Sequence, residues 1–203
     1  FAASFAMFSA GRAFEQVRNS VGYPHLNVKV VGSHAGISVG EDGATHQCCE
    51  DIALMRSIPG MVVLNPADHY EMQAAVKAAA AYVGPVYIRL GRLAVESVHN
   101  NDDYRFELGK GITLRDGKDI TIIATGLLVQ EAVKAAKSLE EAGIDARVID
   151  IHTIKPLDQE LVLKAAKETG RIVVAEEHNV IGGLGEAVAS YLSEVYPTPV
   201  TKI

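Results

Sequence analysis

The sequence predicts an α/β protein of two consecutive domains, each with a mostly parallel sheet flanked by helices. Short apolar runs that suit buried strands alternate with longer segments whose apolar residues recur at helical spacing. This alternation occurs twice and lapses between residues 94 and 107. The 203 residues, 48% of them apolar, are enough for two cores.

The first predicted domain spans residues 1–94. Its pattern predicts, in order, a strand end at 1–3, a helix at 5–20, a strand at 28–31, a glycine-rich loop at 32–43, a helix around 46–55, a strand at 61–65, a helix at 68–82 and a strand at 86–90. The first helix follows from the mostly helical spacing of Phe5, Phe8, Phe14 and Val17. Short apolar strands between helices are typical of parallel sheets covered on both faces.

Residues 95–107 form the predicted linker, because polar and charged side chains replace the apolar pattern: Glu96, His99, Asn100, Asn101, Asp102 and Asp103. The second predicted domain spans residues 108–203. It has strands at 120–124, 146–150, 171–175 and 199–203, and helices at 128–142, 158–169 and 184–194. Gly143 stands where a glycine ends a helix.

Charge and cysteine content exclude several classes of protein. A net charge of -6 leaves no basic field, so we expect neither nucleic acid nor membrane as a partner. The adjacent pair Cys48 and Cys49 suits neither a zinc site nor a disulfide framework, which favours a reducing, cytoplasmic location. The chain opens on apolar residues without an initiator Met, so we expect it to be cut at both ends.

The densest chemistry lies at residues 32–47, where His34, Asp42 and His46 accompany four glycines after a predicted strand. Ligands of open α/β sheets bind at the carboxyl ends of such strands, and histidines there can move protons near neutral pH. Two alternatives stay open: Asp42 caps a helix beside ordinary loop histidines, or the three residues bind a metal. Their spacing matches no familiar short zinc pattern, so we expect no metal ligands here.

Three strings give this region a family resemblance. Residues 40–47, Gly-Glu-Asp-Gly-Ala-Thr-His-Gln, resemble the pyrimidine-domain signature of transketolases, with Ala44 in place of the usual proline. Residues 4–8 resemble the family's Phe-x-x-Phe segment, and residues 86–92 resemble the strand that ends in a phosphate-binding arginine. Residues 147–158 and 176–185 resemble the family's C-terminal domain, in the style of split transketolases, deoxyxylulose-phosphate synthases and 2-oxo-acid dehydrogenase β subunits.

The resemblance implies roles for five residues around the cofactor. Phe8, with Phe5 beside it, would stack on the aminopyrimidine ring, although both could simply pack in a core. His46 and His34 would be hydrogen-bond and proton partners of substrate oxygens, and Asp42 would bind a donor hydroxyl.

Further roles follow from the same resemblance. Arg92, and less securely Arg89, would bind the substrate phosphate, whereas a surface salt bridge is the alternative. His152 and His178 would serve structure or a subunit contact.

The implied fold is a thiamine-diphosphate pyrimidine-binding domain followed by a transketolase C-terminal domain. The implied reaction transfers a two-carbon ketol unit between sugar phosphates in the pentose phosphate pathway. The cofactor is thiamine diphosphate with Mg²⁺, and its diphosphate and metal would be held outside this chain, because the family's Gly-Asp-Gly…Asn motif and Glu-Gln segment are not found in it. We therefore expect an isolated fragment that is inactive, an N-terminal transketolase half or subunit as partner, and a homodimer-type assembly. The alternatives are a deoxyxylulose-phosphate synthase-like enzyme, a 2-oxo-acid dehydrogenase β subunit or a non-catalytic assembly module.

Overall fold

The computed structural model describes residues 1–100 and 104–203. Asn101, Asp102 and Asp103, which belong to the predicted linker, lie outside the described residues. Within the described ranges, every helix is too short or too polar to cross a lipid bilayer.

The first sheet contains five strands. In chain order these are β1 (Ala2–Phe5), β2 (Lys29–Ser33), β3 (Val62–Leu64), β4 (Val86–Arg89) and β8 (Thr153–Lys155). Their spatial order is β1-β2-β4-β3-β8, and only β8 runs antiparallel to its neighbour. Strands β3 and β4 are buried on both faces, which explains why β3 is entirely apolar and β4 is apolar up to its last residue, Arg89.

Helical segments cover this sheet. Helix α1 (Phe14–Gln16) lies between two stretches with wider hydrogen-bonded turns, Met7–Arg12 and Val17–Gly22, and it is followed by α2 (Asp51–Ser57) and α3 (His69–Ala81). The predicted helix around 46–55 begins only at Asp51, because the Gly36 N–H donates to the Cys48 carbonyl at 2.8 Å and holds the preceding residues as a loop. Asp68 caps α3 by accepting from the Glu71 N–H at 3.0 Å.

The second sheet also contains five strands. Its strands are β5 (Ile112–Arg115), β6 (Ile120–Ala124), β7 (Ala146–Asp150), β9 (Ile172–Ala175) and β10 (Val200–Lys202), in the spatial order β10-β9-β6-β7-β5. Only β5 is antiparallel to its neighbour. Helices α4 (Leu128–Glu141), α5 (Gln159–Thr169) and α6 (Leu184–Val195) connect them. The predicted architecture of two mostly parallel sheets flanked by helices is confirmed.

The two sheets are joined by β8, which the sequence analysis did not predict. After β7 the chain crosses to the first sheet, where the Asn65 N–H donates to the His152 carbonyl at 2.9 Å. The Thr125 hydroxyl donates to the Asn65 carbonyl at 3.2 Å. Asn65 and Thr125 directly follow β3 and β6, so the carboxyl ends of central strands from both sheets meet at one junction.

Candidate active site

A stack of aromatic rings lies at the carboxyl ends of β1 and β2. Because the two strands pair in parallel with Phe5 opposite Ser33, His34 comes next to the Phe5 ring. These two rings are 4.1 Å apart and 11° from parallel. Phe8, on the first helical turn after β1, lies 5.8 Å from Phe5 with the ring planes 6° apart. The three-residue spacing between Phe5 at the strand end and Phe8 in the following helical turn thus presents parallel aromatic faces.

His46 closes this stack from the side. Its ring meets Phe8 at 5.2 Å and 73°, and Phe5 at 5.8 Å and 76°, so it lies edge-on to both phenylalanines. His46 Nδ1 is 2.9 Å from the Thr45 hydroxyl, and His34 Nδ1 is 3.1 Å from the Ser33 hydroxyl. No other described residue hydrogen-bonds either histidine ring, so each Nε2 remains open to a ligand.

The glycine-rich loop between the two histidines is fixed at its base. Gly36 adopts a φ of +88°, which favours glycine, and its N–H donates to the Cys48 carbonyl. The Ser38 N–H donates to Glu177 Oε1 at 2.6 Å. Glu177 comes from the second sheet, directly after Glu176 at the end of β9. No role was predicted for Glu177 from the sequence, although the position of an acidic residue at the carboxyl end of a parallel strand can indicate a functional residue.

Asp42 and Arg92 lie at the exposed rim of the same loop. The Arg92 side chain is 34% exposed, and its Nη2 is 2.6 Å from Glu41 Oε1. A backbone hydrogen bond and then the Arg92 charge lower the pKa of Glu41. Asp42 is exposed one residue further on. The rim of the loop therefore presents the carboxylates of Glu41 and Asp42, with the Arg92 guanidinium from the segment after β4 beside Glu41.

Arg89 lies apart from this rim. It is 2% exposed, with its Nε 2.9 Å from Asp51 Oδ2 and its Nη2 2.6 Å from the Glu177 carbonyl. The Tyr87 hydroxyl donates to the same Asp51 oxygen at 2.8 Å. Arg89 is thus engaged in joining the two sheets. These contacts hold Arg89 away from the exposed rim, and its phosphate role stays a prediction beside that of Arg92.

The two histidines of the second domain also lie inside the chain. The Ala53 N–H approaches His178 Nε2 at 3.4 Å, and the Phe106 ring stacks on His152 at 4.2 Å. Both are buried at the junction of the sheets. Their surroundings agree with the structural role that the sequence analysis preferred.

Comparisons with known proteins identify the family of the chain. A model of the transketolase pyrimidine-binding domain matches residues 1–97, and a model of the transketolase C-terminal domain matches residues 109–203. The chain belongs to the transketolase family. The resemblance drawn from residues 4–8, 40–47 and 86–92 is thereby confirmed.

Several transketolase relatives are close in sequence. A putative transketolase C-terminal section of Methanocaldococcus jannaschii is 52% identical over 95% of this chain and 60% of its own length. A 6-deoxy-6-sulfo-D-fructose transketolase subunit of Clostridium sp. (strain MSTE9) is 46% identical over 100% of this chain and 63% of its own length. A solved structure described as a split gene transketolase, inactive beta4 tetramer, superposes with a TM-score of 0.94 at 55% identity and covers 100% of this chain and 66% of its own. The chain thus spans less than two thirds of the length of these relatives.

Membership of the transketolase family implies dependence on thiamine diphosphate. The parallel faces of Phe5 and Phe8 fit the flat aminopyrimidine ring of that cofactor. The Arg12 guanidinium lies 4.7 Å over the Phe8 ring, so a ring that stacked on that face would have to displace it. With Arg12 displaced, the Phe5 and Phe8 rings fit the pyrimidine end of the cofactor.

Proposed function

We propose that the chain is the C-terminal portion of a thiamine-diphosphate-dependent transketolase that transfers a two-carbon ketol unit between sugar phosphates. The observation that carries the proposal is the convergence of Phe5, Phe8, His34 and His46 at the carboxyl ends of β1 and β2. An aromatic surface bordered by two histidines with open Nε2 atoms is suited to a flat ring and to substrate oxygens next to it.

Each residue then has a defined task. Thiamine diphosphate, when bound, supplies the stabilisation of negative charge on carbon. Phe8 and Phe5 orient the pyrimidine ring by stacking. His46 and His34 hold or move a proton between Nε2 and a substrate oxygen, and Asp42 accepts a hydrogen bond from a donor hydroxyl.

Arg92 is the proposed ligand of the substrate phosphate. Its present partner, Glu41, is exposed, so water competes for this ion pair. A phosphate offers the guanidinium two parallel hydrogen bonds and more charge than a carboxylate. We expect the phosphate to replace Glu41 at Arg92, which places the phosphate at the rim and the reacting end of the sugar near the rings.

The proposal requires a partner. We propose that an N-terminal transketolase half or subunit holds the diphosphate and Mg²⁺, that the complex assembles as a homodimer-type enzyme, and that the chain is inactive alone. The division of the chain into residues 1–94, a linker at 95–107 and residues 108–203 belongs to the same proposal.

Turnover of the reconstituted enzyme tests these roles. The chain and its N-terminal partner would be assayed with xylulose 5-phosphate and ribose 5-phosphate. We expect His46→Ala to lower kcat by about 100-fold or more, because proton transfer by a positioned side chain typically contributes this much. His69→Ala, at an exposed histidine of α3, is the matched control and should leave kcat unchanged. Equal turnover of His46→Ala and wild type would instead support a non-catalytic assembly module.

Binding of the cofactor by the isolated chain tests the need for a partner. Isothermal titration with thiamine diphosphate and Mg²⁺ should give no heat of binding at micromolar concentrations. Micromolar binding to the isolated chain would contradict the assignment of the diphosphate and metal to a partner.

A further inference from the structure

A second polar cluster lies inside the junction of the two sheets, away from the aromatic stack. Its members come from three separate parts of the chain: Glu71 on α3, His99 on the segment between the domains and Asp150 at the end of β7. His99 Nε2 is 2.9 Å from Asp150 Oδ2 and 3.4 Å from Glu71 Oε1. The side chains of Glu71 and Asp150 are 0% exposed and that of His99 is 5% exposed.

Hydrogen bonds from outside the cluster hold its members in place. Glu71 accepts from the Ala67 N–H and from the Tyr104 hydroxyl, both at 2.6 Å. The His99 N–H donates to Asp68 Oδ2 at 2.9 Å. Ligands of bound metals are typically oriented by outer partners of this kind.

Internal hydrogen bonds do not satisfy the cluster. Among the described residues, Asp150 Oδ1 is buried without a hydrogen-bond partner, and so is Nε2 of the neighbouring His152, a residue that is 1% exposed. The other nitrogen of His152 is engaged with the Thr153 hydroxyl at 2.8 Å, which leaves Nε2 as its unused atom. Buried polar atoms without hydrogen bonds are rare in folded proteins, so these two atoms indicate that a ligand belongs in or beside the cluster.

We propose that Glu71, His99 and Asp150, whose ligand atoms all lie within 4.8 Å of one another, bind a first-row divalent metal ion such as Zn²⁺. One imidazole and two carboxylates, with water in a fourth position, are a donor set that suits such ions. Bonds of about 2.0–2.2 Å in a tetrahedron put ligand atoms roughly 3.3–3.6 Å apart. The observed separations of 2.9 and 3.4 Å need only small shifts to reach this geometry.

The ion would neutralise both buried carboxylates and give the Asp150 carboxylate a further partner. It would also tie α3 of the first domain to β7 of the second through the segment between them. A cavity of about 340 Å³ is lined by His99 and adjoins the cluster. This site is structural, and it does not depend on the proposed function.

Metal content of the full chain tests the site. After removal of metal with a chelator, the chain would be dialysed against Zn²⁺, and bound metal would be measured by mass spectrometry with protein concentration. We expect one Zn²⁺ per chain. With Co²⁺ in its place, the absorption bands should indicate nitrogen and oxygen ligands.

Variants locate the ion. Asp150→Asn and Glu71→Gln remove one charge each at nearly constant volume, and each should weaken Zn²⁺ binding by at least about tenfold. His69→Ala, exposed on the same helix as Glu71, is the control and should bind as the wild type does. If these variants fail to fold, the stoichiometry and Co²⁺ spectrum of the wild-type chain decide alone. A folded wild-type chain without stoichiometric metal, or equal binding by wild type, Asp150→Asn and Glu71→Gln, would overturn the proposal and leave a cluster held by protons or water.

Discussion

Glu177 Oε1 accepts a hydrogen bond from the Ser38 N–H at 2.6 Å, across the boundary between the two sheets. Ser38 lies in the loop between His34 and His46, whereas Glu177 follows β9 of the second sheet. The backbone carbonyl of Glu177 also accepts from Arg89 at 2.6 Å. One residue of the C-terminal domain therefore fixes the loop that carries the candidate catalytic histidines.

Loss of this carboxylate should loosen the loop. In Glu177→Ala the Ser38 N–H loses a hydrogen bond to a charged group, worth about 1.5–3 kcal/mol. We expect amide exchange at Ser38 to accelerate by roughly 10- to 100-fold, and turnover of the reconstituted enzyme to fall with it. Glu177→Gln keeps an acceptor of the same length and should retain most of the protection. Glu194→Ala, exposed on α6, is the control, and equal exchange at Ser38 in all three variants would contradict the link.

Two glycines with similar φ angles should differ in their response to alanine. Gly36 has a φ of +88°, and a Cβ there would come within 2.2 Å of Glu177 Cδ. Gly143 has a φ of +79° but no atom within 4 Å of an added Cβ. We expect Gly36→Ala to cost about 2–5 kcal/mol, from backbone strain and overpacking, and Gly143→Ala about 1–2 kcal/mol from strain alone. Urea unfolding of both variants measures the difference, and equal losses would refute the close approach of Glu177.

The buried pair of Asp51 and Arg89 should be costly to break. Asp51→Ala leaves the Arg89 guanidinium and the Tyr87 hydroxyl without their shared acceptor. We expect a loss of about 3–5 kcal/mol in the free energy of unfolding, because an uncompensated charge stays buried. Tyr87→Phe removes only one neutral donor and should cost about 0.5–1.5 kcal/mol. A loss below about 1 kcal/mol for Asp51→Ala would mean that Arg89 finds water or another partner.

The adjacent cysteines should differ in reactivity. Burial and the nearby carboxylates of Asp51 and Glu50 raise the pKa of Cys48 to about 12, and burial also raises the pKa of Cys49. Since only the thiolate reacts, and its fraction falls tenfold for each unit that pH lies below the pKa, about 10⁻⁴ of Cys48 is reactive at pH 8. Mass spectrometry after iodoacetamide treatment should find Cys49 modified first, and Cys48 only as pH rises or the chain unfolds. Equal rates of alkylation at pH 8 would contradict the buried position of Cys48.

The periodicity of apolar residues predicted most of the regular structure. Residues 120–124 and 146–150 coincide with β6 and β7, because each is a short segment centred on Ile or Val residues between polar turns. The predicted start of the helix at residue 68 agrees with the structure, because Asp68 caps the first turn through a local hydrogen bond. Local signals of this kind depend on neighbouring residues alone, which a sequence displays directly.

Features that depend on distant contacts could not be predicted. The loop before Asp51 is held by a bond between Gly36 and Cys48, and no pattern around residue 46 reveals that partner. The sequence around Arg89 does not distinguish it from Arg92. Arg89 points into the junction and Arg92 lies at the rim, because strand β4 ends between them. His99 is polar and was assigned to a linker, but its carboxylate partners lie 28 and 51 residues away.

The crossing of β8 bears on how this chain can be divided. Strand β3 is buried along its whole length, and β8, encoded about ninety residues later, covers its outer edge. A fragment that stopped at the end of the first domain would expose an apolar strand edge of the kind that aggregates. The two domains are thus separate in architecture but not in folding. An exchange of the C-terminal domain between relatives would also exchange β8, the last strand of the first sheet.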